Sequence, residues 1–94
     1  MSDKPKKKVL PSGTKEWRLN GNLHRTDGPA IEHADGSKSW CLNGNLHRTD
    51  GPAYEGANGR KAWWLNGNLV SWQEVYHQAN DPEIELKILS AVLS

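Results

Sequence analysis

A fixed step of 23 residues runs through this chain: Trp17, Trp40 and Trp63, then Asn20, Asn43 and Asn66, then Gly21, Gly44 and Gly67. A constant period restricts the fold to one small structural unit, copied and stacked. The run from Leu19 to Ala30, L-N-G-N-L-H-R-T-D-G-P-A, recurs unchanged from Leu42 to Ala53. A third start, W-W-L-N-G-N-L from Trp63, breaks off at Val70.

The unit reads as β-hairpins. Lys15, Trp17 and Leu19 alternate with Glu16, Arg18 and Asn20, the pattern of a strand with two faces. Asn20-Gly21 and Asn43-Gly44 are strong hairpin signals, because both residue types tolerate positive φ. Thr26-Asp27-Gly28-Pro29 reads as a second turn: Asp bonds its own backbone and Pro cannot continue a paired ladder. Asp35-Gly36 and Asn58-Gly59 close further hairpins. Stacked copies would then place Trp17, Trp40 and Trp63 in one ladder, with Leu19, Leu42 and Leu65 beside it. The central rung, Trp40, is expected to be buried and to contribute more than the end rung, Trp17.

So few copies leave an apolar face that needs a cover, and the C-terminus offers one. Ser71 with Glu74 forms a capping box ahead of Trp72, Val75, Tyr76 and Ala79, which share helical spacing. Asp81-Pro82-Glu83 starts a second helix, with Asp at N-cap and Pro at N1. The apolar residues Ile84, Leu86, Ile88, Leu89, Ala91, Val92 and Leu93 leave only a narrow polar stripe. That breadth predicts a helix packed both on the sheet and on a second copy, a homodimer. Residues 1–14, with Lys4, Lys6, Lys7 and Lys8 and no apolar period, read as a basic disordered tail. The expected division is therefore tail 1–14, β-hairpin repeats 15–70 and helices 71–94.

Composition limits function. Ninety-four residues make one small domain, and the 35% hydrophobic content predicts a thin core in which five tryptophans matter. A net charge of +1 gives no general push toward nucleic acid. A lone cysteine, Cys41, makes neither an internal disulfide nor a thiolate metal cluster. No apolar stretch resembles a signal peptide or a bilayer span, so the expectation is a cytoplasmic protein. No nucleophile constellation and no Gly-rich phosphate loop is present, which argues against an enzyme and implies no cofactor.

The segments His24–Ala30 and His47–Ala53 are the candidate site. Their identity has two readings. The first is turn chemistry, with Asp capping the loop and Arg paired to an acid such as Asp27 or Glu32. The second is binding: His24, Arg25 and Asp27 with His47, Arg48 and Asp50 present the same groups twice. Arginine forks suit phosphate or carboxylate, and Tyr54 and Trp64, expected as exposed aromatics, are the alternative contact surface. A metal site from His24 and His47 matches no compact ligand spacing. The lysine tail is a further candidate for nucleic acid or phospholipid headgroups.

The repeat resembles the MORN repeat, a hairpin unit with an aromatic residue, then N-G, then a His-containing segment and a D-G turn. Trp17, Asn20, Gly21, His24 and Asp35-Gly36 carry the resemblance in copy one; Trp40, Asn43, Gly44, His47 and Asn58-Gly59 carry it in copy two. H-R-T-D-G-P-A replaces the glycine-spaced segment of that family, a variant similar to repeats in tailed-phage and giant-virus proteins. The resemblance covers Lys15 to Leu69. It implies a MORN-like β-hairpin meander and an accessory binding module. It further implies a phage-encoded protein that grips a host protein, with inhibition of a host defence system as one version. The alternative is a dimeric sponge that sequesters a phosphorylated or cyclic-nucleotide signal.

Overall fold

A computed structural model describes residues 4–94. The chain is mainly antiparallel β-sheet with two C-terminal helices. Copy one is built from β2 (Lys15–Leu19), β3 (Asn22–Leu23) and β4 (Ile31–Glu32). Copy two uses β5 (Lys38–Ser39), β6 (Cys41–Leu42), β7 (Asn45–Leu46) and β8 (Tyr54–Glu55). Copy three has β9 (Lys61–Leu65) and β10 (Asn68–Val70). A further strand, β1 (Lys6–Val9), precedes them.

Each copy forks at its tryptophan. The first half of β2 pairs with β4, Lys15 opposite Glu32, while its second half pairs with β3, Arg18 opposite Leu23. In copy two the fork breaks the strand at Trp40, so β5 pairs with β8 and β6 with β7. In copy three β9 pairs with β8 at one end and with β10 at the other. The main sheet therefore runs β1-β2-β4-β5-β8-β9-β10 with β3 joined to β2, and β6 and β7 form a separate two-stranded sheet. All three N-G turns have the left-handed geometry that Asn-Gly permits, with φ of 53° and 83° at Asn20 and Gly21.

The basic tail needs correcting. Residues 1–3 of the expected tail lie outside the described residues, but Lys6–Val9 is a strand, paired from Lys6 opposite Arg18 to Val9 opposite Lys15. The reason is a hairpin turn disguised by its residues. Leu10 N–H donates to Thr14 O at 2.8 Å and Gly13 N–H to Leu10 O at 2.9 Å. The same pair of bonds closes His33–Ser37 and Gly56–Arg60. Gly13 has φ 96°, matching Gly36 at 96°. Pro11-Ser12-Gly13 is thus the first of three equivalent turns, one step ahead of Ala34-Asp35-Gly36. All four residues of β1 are exposed, and lysines on an edge strand oppose further pairing.

Helix α1 (Trp72–Ala79) begins at Ser71, whose side chain accepts from Glu74 N–H at 3.3 Å. Helix α2 (Pro82–Leu93) begins at Asp81, which accepts from Glu83 N–H at 2.9 Å. The central core is Trp63, Leu65, Val75 and Ile88, flanked by Val70, Trp72, Tyr76 and Ile84. This revises the ladder. Trp63 is 8% exposed, whereas Trp17 and Trp40 are only half-buried. Burial peaks at the last rung because the helices lie there. Among the described residues no helix is long and apolar enough to cross a membrane.

Candidate functional site

The two H-R-T-D-G-P-A segments are connectors. Each leaves the N-G hairpin of one copy and returns to the main sheet. Their first residue ties neighbouring copies together: Asn43 N–H donates to His24 Nδ1 at 3.0 Å, and Asn66 N–H to His47 Nδ1 at 2.9 Å. Gly44 N–H donates to Leu23 O and Gly67 N–H to Leu46 O beside these bonds. Both imidazoles are therefore Nδ1 acceptors, with the proton on Nε2.

The arginine of each connector lies on the tryptophan of its own copy. The Arg25 guanidinium carbon is 3.9 Å from the Trp17 ring centroid, and that of Arg48 is 3.8 Å from Trp40. Such stacks contribute about 0.5–2 kcal/mol, more as they lose water. The edge of each guanidinium is bonded as well. Arg48 Nε donates to Asp50 Oδ1 at 2.9 Å, and its Nη1 to Pro52 O and Glu55 Oε2, both at 3.0 Å. Arg25 repeats this with Asp27 at 2.9 Å, Pro29 O at 3.1 Å and Glu32 at 3.4 Å.

The remaining letters of the motif now have causes. A Cβ on Gly51 would lie 2.8 Å from Arg48 Cζ, and one on Gly28 would lie 3.0 Å from Arg25 Cζ. Glycine lets the connector backbone close onto the guanidinium. Ala30 and Ala53 are both 0% exposed, so nothing larger fits. Their carbonyls accept from Trp17 N–H at 2.8 Å and Trp40 N–H at 2.7 Å. Contacts within and between copies therefore give the His, Arg, Asp, Gly and Ala of the motif a structural role.

The connectors also face each other across an open groove of about 480 Å³. Arg25, Thr26, Asp27 and Gly28 form one wall; His47, Arg48, Thr49 and Asp50 form the other; Trp40 and Leu42 lie between. Of the expected site residues, Arg25, Asp27, His47, Arg48 and Asp50 meet here. His24 does not line the groove, and its Nδ1 is committed to Asn43. Tyr54 and Trp64 lie elsewhere, half-buried in β8 and β9. The groove residues that sequence reasoning passed over are Trp40 and Leu42, assigned to ladders, and the exposed Thr26 and Thr49. The available signal was their position: Trp40 and Leu42 lie between the two connectors in the repeat step.

Cys41 is buried, and burial pushes its thiol above the ordinary value, which keeps it protonated. Among the described residues no cluster of three or more metal-ligating side chains occurs. No family model, curated protein or solved structure matches the chain.

Proposed function

We propose that this chain is a non-catalytic, virus-encoded binding protein that acts by occupying a host protein, with a host-defence component as the partner the repeat resemblance favours. The groove between the connectors is the contact surface. The observation that carries this reading is the pair of identical connectors set side by side over Trp40 and Leu42. An open groove with an apolar floor and polar walls suits a protein segment. The phosphate-sponge alternative has less support, because Nε and Nη1 of both arginines already serve acids and carbonyls of their own connector.

The test fills the groove. Thr26 and Thr49 are exposed on its walls, and Thr26→Trp or Thr49→Trp should leave the circular dichroism spectrum intact. Parent protein should capture a host protein from lysate that the filled variants lose. Capture of the same protein by both variants would remove the groove from the contact surface.

A homodimer through α2 has one specific observation behind it. Leu86 and Leu93, two turns apart on that helix, are 66% and 85% exposed. Sedimentation of the parent and of Leu93→Asp would decide it: a parent that runs as a monomer removes the dimer.

A further inference from the structure

Each arginine–aspartate pair on the groove is half-buried at its positive end and more exposed at its negative end. The Arg25 and Arg48 side chains are 21% and 20% exposed, while those of Asp27 and Asp50 are 84% and 40% exposed. Each arginine also meets a second acid, Glu32 or Glu55. Each arginine is thus shared between two carboxylates, of which only Asp27 or Asp50 lines the groove; Glu32 and Glu55 lie in β4 and β8, opposite Lys15, Lys38 and Lys61. A charge arriving from solvent meets the carboxylates first, and the low-dielectric protein behind them focuses that field outward. An anion would face like charge, and would have to displace Asp27 or Asp50 to gain the Nε edge of the fork.

The spacing of the two carboxylates follows from the topology. One copy contributes two strands to the path of the main sheet. Equivalent residues in neighbouring copies are therefore about 10 Å apart, two strand spacings. Three residues of an extended polyproline II segment make one turn, span about 9 Å and bring the side chain back to the same face.

We infer, resting on the groove as contact surface, that its occupant is a basic extended protein segment. Two cationic side chains three residues apart pair with Asp27 and Asp50. Their aliphatic stems lie on Trp40 and Leu42, as long cationic side chains do on apolar surface.

The experiment is a titration of the 15N-labelled full chain, followed at the Thr26 and Thr49 amides and the Trp40 indole. Three probes are compared: acetyl-Arg-Gly-Gly-Arg-amide, acetyl-Glu-Gly-Gly-Glu-amide and inorganic phosphate. The arginine peptide alone should shift these signals. Its binding should weaken about tenfold in the double variant Asp27→Asn, Asp50→Asn. Asn keeps an oxygen acceptor for each arginine Nε, so charge is removed without orphaning the donor. Added salt should weaken binding to the parent as well, a readout that needs no variant. Shifts produced by the glutamate peptide or by phosphate overturn the inference, and so does silence from the arginine peptide. Those results leave the groove reading standing while Thr49→Trp still loses its captured host protein. If that variant retains it, the groove reading and this inference fall together.

Discussion

In copies one and two, Trp17 and Trp40 are half-buried, and each carries a guanidinium from its own connector. In copy three, Trp63 is 8% exposed and shares a cluster with Leu65, Val75 and Ile88. The sequence step explains the switch. The positions of His24 and Arg25 recur as His47 and Arg48, and then as Val70 and Ser71. Ser71 is the cap of α1. Where a third connector would begin, the chain starts a helix instead, and the indole gains an apolar cover in place of a cation. The same hairpin can thus be completed by two kinds of lid.

The lids differ in energy. Hydrophobic burial grows with apolar area, and in the first two copies the buried residues are mostly small: Ala30, Ser37, Ser39, Cys41 and Ala53, with Pro52 the largest. Their cohesion comes from hydrogen bonds and stacks, each worth about 1 kcal/mol net. Copy three with its helices holds the large buried side chains, so stability is concentrated at the C-terminal end.

The strongest way to break this comparison is to truncate the tryptophans. Trp63→Ala should cost about 3–5 kcal/mol, as expected of a buried indole. Trp17→Ala and Trp40→Ala should each cost less, about 1–3 kcal/mol, because water already reaches them. Equal losses in urea melts would erase the distinction. Next in size is Gly51→Ala, which pushes Arg48 off Trp40 and should cost about 1–3 kcal/mol. A Gly59→Ala change meets no neighbour within 4 Å but sits at φ 89°, and should cost only about 1 kcal/mol. A larger loss at Gly59 would deny the guanidinium its structural role.

His47→Ala should cost about 0.5–1.5 kcal/mol by removing the acceptor of Asn66 N–H. Faster hydrogen exchange at Asn66 would locate the effect, and unchanged exchange would mean the bond is not a tie between copies. The smallest effect concerns acid. The backbone N–H of Ser37, then its side chain, holds the Asp35 carboxyl below its usual range. Its contribution is therefore present above the unfolded-state value and is lost as pH falls through the lower folded one, below about pH 4. The equivalent turn in copy two uses neutral Asn58, whose Oδ1 accepts the same bond from Arg60 N–H at 3.1 Å. Asp35→Asn should flatten this part of the acid titration, whereas Asn58→Asp should steepen it.

Local signals determined much of this protein. Asn-Gly turns, the Ser71 and Asp81 caps and the step of 23 residues each act over a few bonds, so residue type alone specifies them. The identity of the two connectors was equally plain. Three things waited for the tertiary structure. The strand Lys6–Val9 was hidden because Pro11-Ser12-Gly13 makes the turn with different residues, and its pairing partner lies across that turn. The rank of the tryptophans depended on where α1 and α2 land, a packing outcome that no repeat period encodes. The direction of Arg25 and Arg48, inward onto their own indoles with the more exposed Asp27 and Asp50 at their edges, could not be read from the bare motif. Charge at a surface depends on which end of a pair is buried, and burial is a property of the assembled fold.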